Sequence, residues 1–101
     1  MNEEEQLKSD GSSNEIKEPF VDIQFQLGPI NEVGVNGTSI ENILGLVRLR
    51  LEGFQRGQFR CRTNALAITK IEEAIMWLEE RTKIRMAQGV EGTNEVHEEI
   101  E

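Results

Sequence analysis

The sequence predicts an α+β protein in which a short antiparallel β-hairpin is followed by a two-helix hairpin, assembled as a homo-oligomer. Polar and apolar residues alternate over residues 20–27, and apolar residues recur at helical spacing over 39–56 and 63–88. The 101 residues of the chain allow one modest core. Because two strands alone are marginal in water, we expect helices or another subunit to cover them.

The acidity of the chain lies at its two ends. Residues 1–18 contain six acidic and two basic residues, and residues 89–101 contain five acidic residues without a Lys or Arg. The central segment 19–88 has nine basic and eight acidic residues, so the net charge of −8 belongs to the ends. We therefore predict a disordered acidic tail at 1–18, a folded domain at 19–88, and a glycine-containing loop with an acidic tail at 89–101.

The β-hairpin is predicted over residues 20–37. Its first strand has apolar residues on one side, and Gly28 and Pro29 then turn the chain. Residues 30–35 are predicted to form the second strand, which ends at Asn36-Gly37.

The first helix is predicted over residues 39–56, and Thr38-Ser-Ile-Glu41 predicts a capping box at its start. One partner helix would cover its apolar stripe, formed by Ile40, Ile43, Leu44, Val47, Leu51 and Phe54. Leu46 and Leu49 lie on a second side, which predicts contact with a sheet or another subunit.

The long helix is predicted over residues 63–88, with Thr63 or Asn64 as its cap and Gly89 as its stop. Trp77 lies away from the core stripe of this helix. We interpret Trp77 as an anchor of a subunit interface, and the alternative is a residue that stacks on a ligand.

Catalytic and metal-binding patterns are few. Cys61 is the only cysteine and His97 the only histidine, so no disulfide, metal site or cofactor is predicted. Paired glutamates on the long helix are expected to face solvent. No apolar run approaches the roughly 18 residues of a membrane span, and no signal peptide is visible, which predicts a cytosolic protein without a membrane partner.

Cations are concentrated around the connection between the two helices. From Arg48 to Lys70, six Lys and Arg residues are opposed only by Glu52. A solvated helical face is the alternative for Arg48, Arg50 and Arg56. A small phosphate-bearing ligand fits this local excess better than DNA or RNA, because Tyr is absent and acidic tails repel a polyanion. A small oligomeric DNA-binding regulator is the second hypothesis.

Three motifs resemble one known family. The segment 67–77 (Ala-Ile-Thr-Lys-Ile-Glu-Glu-Ala-Ile-Met-Trp), its entry at 60–64 (Arg-Cys-Arg-Thr-Asn) and the exit at 89–93 (Gly-Val-Glu-Gly-Thr) are similar to the phage Thoeris anti-defence sponge family. That family shares a helical-hairpin domain with the phage anti-CBASS cyclic-nucleotide sponges. The resemblance covers about residues 20–93.

The resemblance implies a non-enzymatic protein that sequesters glycocyclic ADP-ribose, the signal of bacterial TIR enzymes, in the cytoplasm of the infected host. Some relatives also sequester cyclic di- or trinucleotides at a separate site. The ligand-binding residues implied are Phe54, Arg60, Arg62, Asn64, Arg81, Arg85 and Thr93. Phe54 could instead be the end of the core stripe, and Asn64 could be an N-cap. Residues 89–93 could form a mobile lid over the ligand, and the alternative is a frayed terminus.

The residue types suit such a ligand. An arginine fork donates two parallel hydrogen bonds to a pyrophosphate, an aromatic ring stacks on adenine, and an amide both donates and accepts at an adenine edge. Asn64 and Arg81 are 17 residues apart, which corresponds to roughly 25 Å along a helix. One small ligand contacts both only if they come from different subunits, which predicts a C2 homodimer with two equivalent pockets; a hexamer is the alternative.

Overall fold

The computed structural model describes residues 12–89, 91 and 93. Its elements are β1 (Glu15–Glu18), β2 (Val21–Gln24), α1 (Ile30–Val33), α2 (Ile40–Gln55) and α3 (Arg62–Ala87). An antiparallel two-stranded sheet followed by helices confirms the predicted α+β class. The chain reverses direction in the short connection between α2 and α3, and these helices pack on each other as a helical hairpin. Their bounds differ from the predicted 39–56 and 63–88 by one residue at each end.

The β-hairpin lies earlier in the chain than the predicted range 20–37. Ile16 pairs with Ile23 and Lys17 with Asp22 across β1 and β2, and a turn at residues 19 and 20 joins the strands. The predicted disorder of residues 1–18 is therefore wrong for Glu15–Glu18. An isoleucine pair and an opposite-charge pair stabilise this sheet, but β1 alone has the composition of a solvated tail. Residues 1–11 of the predicted tail lie outside the described residues.

The predicted second strand at residues 30–35 is wrong. Pro29 has a φ of −68°, which suits the start of a helix, and the Val33 N–H donates to the Pro29 carbonyl at 2.9 Å. Side-chain amides replace the missing strand partner. Asn36 accepts from the Leu27 N–H at 2.8 Å and donates to the Leu27 carbonyl at 2.7 Å. The loop is therefore closed by an amide side chain instead of a strand ladder.

The N-cap of α2 is Ser39, one residue after Thr38, the first residue of the predicted capping box. The Ser39 hydroxyl accepts from the Asn42 N–H at 3.1 Å, which satisfies a free donor of the first turn. Thr38 is not the cap, because its N–H donates to the Gln24 carbonyl at 2.8 Å and its backbone bridges to Phe25. The start of α2 is thereby tied to the end of β2.

The N-cap residue of α3 is Cys61, so the predicted capping by Thr63 or Asn64 is wrong. Gln55 holds this entry instead, because its side chain accepts from the Cys61 N–H at 2.9 Å and donates to the Cys61 carbonyl at 3.0 Å. The other end follows the prediction. Gly89 has a φ of 74°, a left-handed conformation that ends the helix.

The packing face of α2 is rotated from the predicted stripe. Leu44 and Leu51 are half-buried, whereas Ile40 and Val47 are exposed, so the predicted stripe is wrong for these two residues. None of the large side chains in the described part of the chain is fully buried. One copy of the hairpin therefore leaves much apolar surface in contact with water. Among the helices described, none has the length and apolarity needed to cross a bilayer.

Candidate ligand-binding site

The predicted site residues fall into two groups at opposite ends of α3. The first group lies where α2 passes into α3 and comprises Phe54, Arg60, Arg62 and Asn64. The second lies at the far end of α3 and comprises Arg81, Arg85 and Thr93. Because α3 is continuous from Arg62 to Ala87, Asn64 and Arg81 are separated by roughly 25 Å along the helix and about 100° around it. One copy of the chain does not bring the two groups together.

Phe54 belongs to a small aromatic and cationic cluster. Its ring meets the Phe59 ring edge-on, with centroids 6.3 Å apart and an interplanar angle of 88°. The Arg50 guanidinium lies 4.5 Å from the centroid of the Phe54 ring. A base that stacks on Phe54 must therefore use the opposite face of the ring or displace Arg50. The spacing of four residues between Arg50 and Phe54 on one helix was the sequence signal for this contact, but it is shared with many solvated helical pairs.

Asn64 is linked to the same cluster through Phe59. The Asn64 side chain donates to the Phe59 carbonyl at 3.4 Å, and the ring of Phe59 contacts Phe54. The sequence did not indicate Phe59 as a site residue, although an aromatic residue directly before a basic loop is a usable signal. Asn64 and Phe54, the two residues predicted to bind adenine, therefore both contact Phe59, the first at its carbonyl and the second at its exposed ring.

The connection around this cluster is cationic. Arg60 and Arg62 are exposed, and the sequence has no acidic residue between Glu52 and Glu72. Arg48 contributes less to this excess, because its Nε lies 3.6 Å from the Glu52 carboxylate. The first turn of α3 adds the positive end of its helix dipole. This end of the hairpin therefore favours an anion.

The Cys61 thiol lies at the same connection, and its hydrogen bonds there lower its pKa. Cys61 is exposed, and its Sγ lies 3.2 Å from the Thr63 hydroxyl. The hydrogen bond from the Thr63 side chain, followed by that from the Asn64 N–H, lowers the pKa of the Cys61 thiol. The connection thus stabilises negative charge on one of its own groups.

The residues of the second group, at the far end of α3, differ in how far they are exposed. Arg81 is exposed on the outside of α3, whereas Arg85 is buried, at 9% exposure. Arg85 Nε donates to the Glu91 carboxylate at 3.1 Å, and Arg85 Nη2 donates to the Thr93 carbonyl at 3.1 Å. The structure therefore brings Arg85 and Thr93 together, and it places two Arg85 donors on the segment that follows the helix.

Metal ligands do not form a cluster in the described residues. Over 12–89, 91 and 93, no group of three or more His, Cys, Asp and Glu side chains could hold a metal ion. The predicted site residues include an aromatic ring, one side-chain amide and four guanidinium groups.

Comparison with known proteins relates this geometry to a family. Residues 17–83, more than half of the chain, match the model of the Acb2/Tad1 hairpin domain. This chain belongs to the Acb2/Tad1 hairpin family. The matched segment includes β2, α2 and most of α3, so it contains Phe54, Asn64 and Arg81 but ends before Arg85.

A curated relative is also similar. The chain is 53% identical over 73 residues to Thoeris anti-defense 1 of Bacillus phage SBSphiJ7, and the aligned region covers 72% of this chain and 51% of the relative. This chain therefore spans about half the length of that relative. The family resemblance predicted from the motifs at 60–64, 67–77 and 89–93 is confirmed.

Proposed function

We propose that this protein is a phage anti-defence protein that binds a cyclic nucleotide immune signal in the host cytoplasm and sequesters it without degrading it. Glycocyclic ADP-ribose is the first candidate ligand, and cyclic di- and trinucleotides are the second. Membership of the Acb2/Tad1 hairpin family and the similarity to Thoeris anti-defense 1 support this proposal. The observation that carries it is the cluster of Phe54, Asn64 and exposed arginines at a connection without acidic residues.

The ligand chemistry follows from the side chains of this cluster. Stacking of adenine on the Phe54 ring contributes roughly 1–3 kcal/mol, by analogy with bases that stack on aromatic residues in single-strand binders. Asn64 recognises an adenine edge, because its amide both donates and accepts. Arg60 and Arg62 offer planar guanidinium forks that can donate paired hydrogen bonds to the pyrophosphate. Such a site binds a compact dianion that carries one base.

A second copy of the chain completes the pocket in this proposal. The outer side of α3 exposes Leu66, Met76 and Trp77, and α2 exposes Leu46 and Leu49 on its outer side. Large apolar side chains exposed beside one another often mark a surface that a partner covers. A C2 homodimer that buries these residues places Asn64 beside the partner subunit's Arg81 and forms two equivalent pockets. A hexamer built from three such dimers is the alternative assembly.

Sequestration needs no chemical step. The Cys61 thiol hydrogen-bonds to Thr63 and not to a general base, and the only histidine, His97, lies outside the described residues. Arginine, phenylalanine and asparagine bind and orient a ligand without transferring protons at neutral pH. The bound signal is therefore expected to return unchanged when the protein unfolds.

Isothermal titration against glycocyclic ADP-ribose, a cyclic dinucleotide, a cyclic trinucleotide and duplex DNA tests the proposal. Tight binding of a cyclic nucleotide is expected, and heat release followed by mass analysis should return the intact ligand. Phe54→Leu keeps apolar volume but removes the ring, so it should weaken binding. Arg81→Gln should also weaken it, whereas Lys83→Gln, at an exposed position of the same helix, is the matched control. Preference for duplex DNA with a steep salt dependence would contradict the proposal.

A further inference from the structure

The guanidinium of Arg85 is held by the chain itself. Arg85 is buried, and the donors at Nε and Nη2 are each 3.1 Å from an acceptor, the first from the Glu91 carboxylate and the second from the Thr93 carbonyl. Nε and Nη2 form one edge of the guanidinium fork, the geometry with which arginine also grips a phosphate. This edge of Arg85 is therefore already used by the segment that follows α3.

The turn at Gly89 makes these contacts possible. Gly89 has a φ of 74°, and its N–H donates to the Met86 carbonyl at 3.1 Å, so the chain leaves the helix axis at this point. Glu91 and Thr93 are six and eight residues beyond Arg85 in the sequence, yet both reach its guanidinium. A residue with a Cβ rarely adopts this conformation, which explains the glycine.

The burial of Arg85 gives the contacts their strength. A buried guanidinium has lost water, so removal of an acceptor leaves an uncompensated charge, which costs more than the loss of an exposed ion pair. Glu91 is only partly buried, with 38% of its side chain exposed, so it can be replaced without disturbing a core. The Arg85–Glu91 pair therefore holds this segment against α3, and substitution of Glu91 can test the contact.

The fastened point lies next to a predicted ligand residue. Arg81 lies one helical turn before Arg85, so both side chains leave α3 on nearly the same side; Arg81 is exposed, whereas Arg85 is buried. The segment tied by Arg85 carries Thr93, which is itself one of the predicted ligand residues. Arg81 and Thr93 are thus brought to the same end of the hairpin.

We propose that Arg85 and Glu91 are positioning residues. Their ion pair fixes the segment that carries Thr93, so that Thr93 is already in place to contact a ligand bound by Arg81. Arg85 then acts through Thr93 and does not itself bind the phosphate. This inference rests on the proposed function, because it concerns the same ligand site. It adds Glu91 to the site and changes the role of Arg85 from ligand contact to support.

A double-mutant cycle tests this role. Glu91→Gln should weaken the affinity for glycocyclic ADP-ribose roughly tenfold, because it removes a charged hydrogen bond to a buried group. Glu91→Asp, which keeps the charge, should restore part of the loss. Thr93→Ala should also weaken binding, and Glu91→Gln should add nothing further in the Thr93→Ala background. Glu79→Gln removes the same charge from an exposed site of α3 and is the matched control.

The outcomes separate the two proposals. If Glu91→Gln weakens binding equally with and without Thr93, or if Thr93→Ala binds like the wild type, the positioning role is wrong while the sponge proposal stands. If the wild type binds no cyclic nucleotide, the proposed function and this inference both fail. A ligand-free measurement gives a further check: proton exchange at Arg85 Nε, followed by NMR, should be slow in the wild type and fast in Glu91→Gln. Equal exchange in both proteins would show that the ion pair does not hold the segment.

Discussion

Two binding-defective variants should restore ligand binding when their subunits are mixed. One variant carries Asn64→Ala and the other Arg81→Ala. These residues lie roughly 25 Å apart on the continuous helix α3, so a ligand of nucleotide size contacts both only across two subunits. Loss of the charged hydrogen bonds of Arg81 should cost about 1.5–3 kcal/mol, or roughly ten- to a hundredfold in affinity. Neither variant alone should keep a tight site.

The expected recovery follows from C2 symmetry. A dimer with one subunit of each variant has one pocket with both wild-type residues and one pocket with neither. Random exchange at equal concentration makes half of the dimers mixed, so about one pocket in four should regain wild-type affinity. The assay is titration calorimetry before and after exchange, with native mass spectrometry to count mixed dimers. Asn64→Ala mixed with the double variant Asn64→Ala/Arg81→Ala is the control, since none of its pockets is intact.

If mass spectrometry verifies the mixed dimers and the sample still has no tight binding sites, the pocket shared between two subunits is refuted. Asn64 and Arg81 would then serve different sites, and the ligand site would have to be built from the residues at one end of the hairpin.

Three further changes test the fold, the assembly and the electrostatics. Gly37→Ala should lower the free energy of unfolding by about 2 kcal/mol in thermal or urea unfolding, because a Cβ there overlaps the Phe25 carbonyl; Gly45→Ala, where a Cβ meets nothing within 4 Å, should be neutral or stabilising. Trp77→Ala should reduce the assembled mass in light scattering, and an unchanged mass would exclude an anchor role. Alkylation of Cys61 should have its pH midpoint below that of the unfolded chain, since hydrogen bonds in the fold lower the thiol pKa; Thr63→Val should raise the midpoint. A lowered pKa means that this contribution to stability is present above the unfolded pKa and is lost as the pH falls through the folded pKa.

The helical part of the fold was predictable because its signals are local. Apolar spacing and the glycine at 89 located α2 and α3 to within one residue. The hairpin was not, because strand pairing depends on a partner elsewhere in the chain. Glu15–Glu18 has one apolar residue among charges, and only the pairing with Val21–Gln24 gives it a structure. The amide of Asn36, which closes the loop in place of a strand, has no signature in the sequence alone.

The residues of the candidate site come from the family resemblance and stay a prediction, whereas their geometry comes from the structure. The resemblance implied Asn64 and Phe54 as ligand residues, and the structure places both against Phe59. The contact of Arg50 with Phe54 was hidden by its resemblance to a solvated helical pair. The contact between Arg85 and Glu91 depends on the turn at Gly89 and on the burial of Arg85, and the spacing of residues in the sequence predicts neither.

Titration of the purified protein with glycocyclic ADP-ribose, followed by heat release and mass analysis of the ligand, tests the central claim most directly. Tight, saturable binding and recovery of the unaltered ligand are expected of a sponge that binds through stacking and arginine hydrogen bonds. A ligand that returns hydrolysed would make the protein an enzyme, and a chain that binds neither this signal nor any cyclic oligonucleotide would contradict sequestration altogether.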